Sequence, residues 1–255
     1  MIHPISFIKP TLSLLFLLSI IAAAPVQAQN YWEKIPALTS QCYSDKDDFG
    51  EKIYLLKSEI KEKLQKSQQA AEAKANKMTN EERMAIATKY QQMKPDEIIK
   101  MQNEMMEMQQ LQADFQQKAT EYENSFNQLE ADFRAEFGKK LGPIEQEYQK
   151  LPDGEGTPAW AIKKGEELMA AYNKTYESIC DAYFTSPNAK FKIWLKDYNT
   201  FLREHEVPFN KKMLKTQYAQ INLTPDDADA TLMAVEKYLD KCALIFALRR
   251  PYRQG

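Results

Sequence analysis

The sequence has little glycine and little histidine, and both shortages limit the folds and the chemistry that it can support. Its 255 residues include 7 glycines, and none lies between Gly50 and Gly138. β-branched residues are few in this stretch and show no sustained alternation, so strands are not predicted. Glu, Lys, Gln, Met and Ala dominate instead, and all of them favour helix. We therefore expect an all-α protein.

Patterns that carry catalysis or ligand binding are also scarce. His3 lies in the first 28 residues, which leaves His205 as the one histidine beyond them. We expect His205 to be a solvated residue near a helix end, because no partner at metal-ligand spacing accompanies it. No glycine-rich phosphate loop, serine elbow or paired-cysteine metal motif occurs. The sequence predicts no catalytic, cofactor-binding or metal-binding residue, no cofactor, and a protein that is not an enzyme.

The first 28 residues have the layout of a secretory signal peptide. Lys9 precedes an apolar run from Leu12 to Ala24, and Val26-Gln27-Ala28 follows with small residues at the positions that a signal peptidase contacts. The run is shorter than the roughly 20 residues that span a bilayer. We expect cleavage between Ala28 and Gln29 and export to the periplasm or the extracellular space. An uncleaved membrane anchor is the alternative.

Neither sign of charge dominates the chain. Lysine and arginine number 34 against 36 acidic residues, a net charge of −2, which becomes about −3 when Lys9 is removed with the signal. Nucleic-acid binding generally requires a basic surface, so no nucleic-acid partner is expected. No segment after the signal is apolar enough to span a membrane. The partners that we expect are proteins, further copies of the chain included.

A single apolar stripe runs along the longest helical segment. Its positions are separated by three or four residues, with a mean spacing of about 3.5, between the values for a straight helix and a coiled coil. The other faces are polar. The pattern predicts long, antiparallel, coiled-coil-like helices in a helical hairpin or arm over residues 29–150. The stripe comprises Ile98, Met101, Met105, Met108, Leu111, Phe115, Ala119, Tyr122, Phe126, Leu129, Phe133 and Phe137.

The predicted length of this helix implies an elongated molecule. Lys94-Pro95-Asp96 marks its start. Thr79 with Glu82 predicts a capping box at the start of the helix before it. A helix from Asp96 to Leu141 would be about 69 Å long. A compact globule formed by the residues after the signal would be only roughly 45 Å across. The helix must therefore protrude as an arm or belong to an elongated bundle.

Residues 151–158 carry the strongest loop signal of the chain, with two glycines and two prolines. Aromatic residues become denser after it, with 14 between 157 and 255 against 8 between 51 and 150. Aromatic side chains supply much of the buried area of a small core. We expect residues 151–255 to form a more compact, aromatic-rich part of the helical bundle, continuous with the arm.

The cysteines of the chain predict a covalent contact. Cys42, Cys180 and Cys242 remain after the signal. If the chain turns near residues 79 and 154, Cys42 and Cys180 lie at a similar height, so we expect them to form a disulfide in an oxidising compartment. Cys242 is expected to be a small buried apolar residue.

Three methionines, Met101, Met105 and Met108, share one face of the long helix. The first interpretation is that they form part of the buried stripe. The second is an adaptable contact face for varied apolar partners, because the methionine side chain is flexible and polarizable. The third is Cu(I) binding through their thioethers.

These features favour an exported, non-enzymatic helical protein that works by contact, as a scaffold, a spacer or a protein-binding module of the cell envelope. One alternative is a periplasmic holdase. In its signal peptide, long helical arms and Met101–Met108 stretch the chain is similar in style to Skp-type and Spy-type chaperones. We find no strand-containing trimerisation body of the Skp type, and Spy-type chains are shorter, so no family is assigned. The other alternative is an enzyme with a site among the Tyr, Glu and Lys residues of the aromatic half.

Overall fold

The computed structural model describes residues 32–33, 48–219, 221 and 227–249. Helices joined by short connections make up these ranges, and no strand occurs within them. The prediction of an all-α fold is therefore confirmed. The predicted signal peptide, the cleavage position at Ala28 and Gln29, and Cys42 all lie outside the described residues.

Seven α-helices follow one another from Phe49 to Arg249, and no helix in the described part of the chain is both long and apolar enough to cross a bilayer. Two five-residue π-helical turns, Asp181–Thr185 and Leu202–Glu206, continue the fourth and fifth α-helices. The α-helices are α1 Phe49–Lys77, α2 Asn80–Gln91, α3 Pro95–Tyr148, α4 Ala159–Cys180, α5 Lys190–Phe201, α6 Val207–Ala219 and α7 Asp227–Arg249.

The 54 residues of α3 make it the longest element, about 81 Å at 1.5 Å per residue. Its start agrees with the prediction, because Pro95 occupies the first position and the Lys94 N–H donates to Glu97 Oε2 over 2.8 Å. Its end does not, because the helix is bent and continues through Pro143 to Tyr148. Leu141 is fully buried and Ile144 packs against the core. This packing holds the helix together across a proline that removes one backbone hydrogen bond.

The core is one aromatic-rich cluster in which α3 lies against the C-terminal helices. Phe133 of α3 has its ring centroid 5.3 Å from Tyr183 and 5.1 Å from Phe184, both in the first π turn. Phe126 lies 4.9 Å from Trp194 of α5. The predicted concentration of aromatic residues in the C-terminal half is present, with Phe191, Trp194, Tyr198 and Phe201 buried, although Trp160 is 62% exposed.

Helix α7 lies between α1 and the other C-terminal helices. Its Val235, Leu239 and Ile245 are completely buried. Lys57 of α1 forms an ion pair with Asp240 of α7, and Phe49 lies 5.0 Å from Phe246. The N-terminal part of α1 is therefore fixed on the core, whereas the antiparallel coiled-coil character of the long helices stays a prediction.

Candidate functional site

The apolar stripe of α3 is buried at only one end. Phe126 is 1% exposed, but Met105 is 57% and Met101 is 38% exposed. The same loss of burial extends into α2 and the end of α1. We call residues 72–107 the distal arm, and none of its described side chains is buried. The arm therefore carries an apolar face that continues the stripe of the core but stays largely exposed.

The corner between α1 and α2 is fixed by directed hydrogen bonds. The Glu82 N–H donates to Thr79 Oγ1 over 3.1 Å, and the Thr79 N–H donates to Glu82 Oε2 over 2.8 Å. The predicted capping box is thus confirmed. Arg83 adds a bond from its guanidinium to the Ala75 carbonyl over 3.2 Å. Two short connections therefore turn the chain twice and place three helix ends side by side.

An open groove of about 1290 Å³ lies between the end of α1, helix α2, the start of α3 and the end of α6. This volume is larger than the roughly 300–1,000 Å³ of a typical small-molecule pocket. Methionine side chains adapt to irregular apolar surfaces. The groove therefore suits a polypeptide segment better than a compact metabolite. Its apolar lining consists of Met78, Ala85, Ile86, Met93, Met101, Ala219 and Ile221.

Charged side chains surround this apolar lining, with lysine in excess. Two of the three carboxylates, Glu82 and Glu97, already accept hydrogen bonds from the backbone at the starts of α2 and α3. Five lysines against three glutamates give the lining a formal charge of +2 in a chain whose net charge is negative. The lysines are Lys74, Lys77, Lys89, Lys94 and Lys100, and the glutamates are Glu82, Glu97 and Glu104.

The three methionines singled out from the sequence do not all lie in the groove. Met101 lines it together with Met78 and Met93. Met105 is exposed outside the groove lining, and Met108 is half-buried. The apolar stripe of α3 does not predict the lysines of the groove, because they come from three separate helices. The capping signals at Thr79 and Lys94 mark the two turns that bring those helices together, so they are the sequence features from which the groove could have been predicted.

A polar network in the aromatic half is the best candidate for catalytic chemistry. Lys190 Nζ donates to Tyr183 Oη over 3.0 Å, and this hydroxyl donates to Glu136 Oε2 over 3.0 Å. The Lys140 hydrogen bond, with that of Tyr183, holds the pKa of Glu136 below its usual value. Burial raises the pKa of Tyr183, and the bond to Tyr183 raises the pKa of Lys190. Every shift moves the pKa away from neutrality, where general acid–base catalysis is efficient.

The remaining predicted residues are dispersed. His205 is half-buried in the second π turn rather than solvated at a helix end, with Nε2 3.5 Å from Lys118 Nζ. Cys180 and Cys242 are both buried thiols. Since Cys42 lies outside the described residues, the Cys42–Cys180 disulfide stays a prediction. Nowhere in the described ranges do three His, Cys, Asp or Glu side chains come together in a way that would hold a metal ion.

The geometry thus offers one large groove with apolar residues and an excess of lysine, and one partly buried polar network beside aromatic rings. The groove is open, and its lining comes from four separate helices. Any assignment of function depends on these features alone. Comparison with protein-family models, with curated proteins and with solved structures finds no match to this chain.

Proposed function

We propose that the protein is an exported, non-enzymatic binding module that holds a polypeptide partner in the groove of its distal arm. The observation that carries the proposal is the exposed continuation of the α3 stripe. The stripe is 1% exposed at Phe126 and 38% exposed at Met101, which lines the groove. Apolar surface left at this spacing is the kind that a partner segment buries.

Contact, rather than catalysis, is the proposed mode of action. Binding sites for small substrates are concave, enclose most of the ligand and converge a few polar groups on it. The groove instead has a wide opening and a lining of flexible lysine and methionine side chains. In the Tyr183 network, the pKa values of Glu136, Tyr183 and Lys190 are all shifted away from neutrality. Both observations support a protein that acts by binding a partner rather than by catalysis.

The binding role is tested with a soluble, permanently unfolded polypeptide, such as a reduced and carboxymethylated model protein. We expect it to bind, and we expect Met101→Ser to weaken binding several-fold, because a half-exposed methionine contributes about 1 kcal/mol on burial. Met169→Ser is the matched control, since Met169 of α4 is also 38% exposed but does not line the groove. Equal effects of the two substitutions in a titration calorimeter would contradict the proposal.

A holdase is the second candidate, and it is favoured by the opening of the groove and its three methionines. An adaptable apolar surface accepts many sequences rather than one. The expected result is that an equal molar amount of the protein delays aggregation of a denatured client diluted into buffer, as measured by light scattering. No delay, with binding retained for a particular segment, would indicate a specific binding module instead.

Export is proposed from residues 1–28 and has its own test. Processing is expected between Ala28 and Gln29, the position that follows the small-residue pattern. Fractionation of expressing cells followed by N-terminal sequencing is expected to give a soluble chain that starts at Gln29. An intact N-terminus in the membrane fraction would indicate an uncleaved anchor.

A further inference from the structure

Four of the five lysines that line the groove differ from the lysines of the core in having no acidic partner among the described residues. Around α7, Lys237 lies 2.6 Å from Glu206 and Lys241 lies 2.6 Å from Glu123. By contrast, Lys77, Lys89, Lys94 and Lys100 have no carboxylate partner within the described residues. Because these four come from α1, α2, the α2–α3 connection and α3, positive charge is present on every arm segment that lines the groove.

The glutamates of the groove do little to neutralise this charge. Glu82 accepts the Thr79 N–H at the start of α2, and Glu97 accepts the Lys94 N–H at the start of α3. A carboxylate in this position interacts with the positive end of its own helix. The groove therefore combines apolar residues with lysines that outnumber the glutamates of the lining by five to three.

We infer that this groove takes an acidic, amphipathic polypeptide segment of a partner protein. This inference rests on the binding function proposed above and specifies the chemistry of the partner. Apolar residues of the segment lie on Met78, Ile86 and Met101, and its Asp and Glu side chains face the lysine rim. The 12 residues of α2 span about 18 Å, so the groove accommodates about three turns of a helical segment beside it.

Two other classes of ligand fit the groove less well. A membrane presents a broad, nearly flat surface, and a concave lining formed by four helices does not lie flat on it. Single-stranded nucleic acid is held by aromatic stacking and arginine as well as by lysine. The described lining contains neither aromatic residues nor arginine. Charge complementarity together with the apolar floor therefore favours a polypeptide.

The test uses fluorescent peptides of about three helical turns and measures their anisotropy with the full protein. One peptide places Leu and Met at helical spacing among Glu and Gln, a second replaces Glu with Lys, and a third replaces Leu and Met with Ser. We expect the acidic amphipathic peptide to bind about tenfold more tightly than the basic peptide, as expected for a few exposed charge pairs. We also expect it to bind more tightly than the peptide that lacks Leu and Met, because that peptide buries less apolar area. Raising the salt concentration to about 1 M is expected to remove the preference over the basic peptide only.

Substitution locates the site. The triple variant Lys77→Glu, Lys89→Glu, Lys100→Glu is expected to reverse the preference, so that the basic peptide binds more tightly. All three side chains are exposed, and circular dichroism checks that the helices are retained. The control, Lys163→Glu with Lys164→Glu, changes exposed lysines of α4 outside the groove and is expected to leave the preference unchanged.

The outcomes separate this inference from the function on which it rests. Equal binding of the acidic and the basic amphipathic peptides, with the loss caused by Met101→Ser retained, overturns the charge inference and leaves the binding function standing. Binding of none of the peptides, and no binding of an unfolded polypeptide, overturns both. Stronger binding to vesicles that contain phosphatidylglycerol than to the acidic peptide assigns the groove to membranes and overturns the inference.

Discussion

Phe133 has more aromatic neighbours than most residues of the core. Its ring lies 5.3 Å from Tyr183, 5.1 Å from Phe184 and 6.4 Å from Phe191. Phe133→Ala is expected to lower the free energy of unfolding by about 3–5 kcal/mol, because it removes buried apolar area and leaves a cavity. Urea denaturation followed by circular dichroism measures the loss. Tyr54→Ala is the control: Tyr54 is 69% exposed, so a change within about 0.5 kcal/mol is expected.

Tyr198 makes stability depend on alkaline pH. Burial raises the pKa of its phenol, and the nearby carboxylates of Glu206, Glu123 and Asp240 act in the same direction. A raised pKa in the folded state means that the stabilisation is fully present below the ordinary value of about 10 and is lost as the pH rises above it. Tyr198→Phe removes this ionisation, so the variant is expected to lose less stability than the natural chain between about pH 9 and pH 11.

Denaturation midpoints at the two pH values check this prediction. Tyr122, Tyr183 and Tyr218 also have raised pKa values through burial, so part of the alkaline loss is expected to persist in the variant. Tyr54→Phe serves as the control, because this exposed ring lies outside the core cluster. If Tyr198→Phe and the natural chain lose the same stability between the two pH values, Tyr198 ionises as freely in the folded state as in the unfolded state.

Individual residues of the α3 stripe show what the sequence was able to predict. The regular spacing places Met101, Met105, Phe126 and Phe133 on one stripe, and three of its phenylalanines are indeed buried. The spacing contains no information on which part of the stripe another helix covers, because it is the same at both ends. Burial begins where the stripe meets α5 to α7, and that depends on tertiary packing.

The capping box of α2 is the main local support of a helix none of whose described side chains is buried. Thr79→Ala removes the hydroxyl that accepts the Glu82 N–H. A lost cap costs about 1 kcal/mol, so amides of α2 are expected to exchange about fivefold faster with solvent. Global unfolding is expected to be unchanged, because the core does not include α2.

Hydrogen exchange followed by mass spectrometry measures this effect segment by segment. Thr120→Ala is the matched control, because Thr120 is an exposed residue inside α3 whose hydroxyl bonds only to the Gln116 carbonyl of the same helix. It is expected to leave α2 unaffected. Unchanged exchange of α2 in Thr79→Ala would mean that contacts other than the cap hold this helix.

The boundaries of elements were predicted where local signals decide them and missed where packing does. Pro95 and the Thr79 box start helices as expected. The π turns Asp181–Thr185 and Leu202–Glu206 continue their helices, and no sequence pattern indicated either of them. Pro208 is the second residue of α6 and lies in a helical run that continues without a break from α5 through the second π turn.

At the scale of the whole molecule, stability and binding are assigned to different parts. Large buried rings concentrate where α3 meets α4 to α7, whereas no described side chain of the distal arm is buried. An arm without buried side chains adapts to a partner at low cost, because the core does not have to rearrange. The candidate groove escaped sequence analysis for this reason: it is formed by the ends of four helices that only the tertiary fold brings together.

Molecular shape follows directly from the length of α3. Its 54 residues span about 81 Å; its N-terminal end belongs to the distal arm, and the rest lies along the core. Small-angle X-ray scattering is expected to give a maximum dimension of about 80 Å for the monomer, against roughly 45 Å for a compact globule. A dilution series with the molecular mass measured in parallel separates length from self-association. A monomer of about 45 Å would require α3 to fold back on itself, and the groove between α1, α2 and α3 would then not exist in solution.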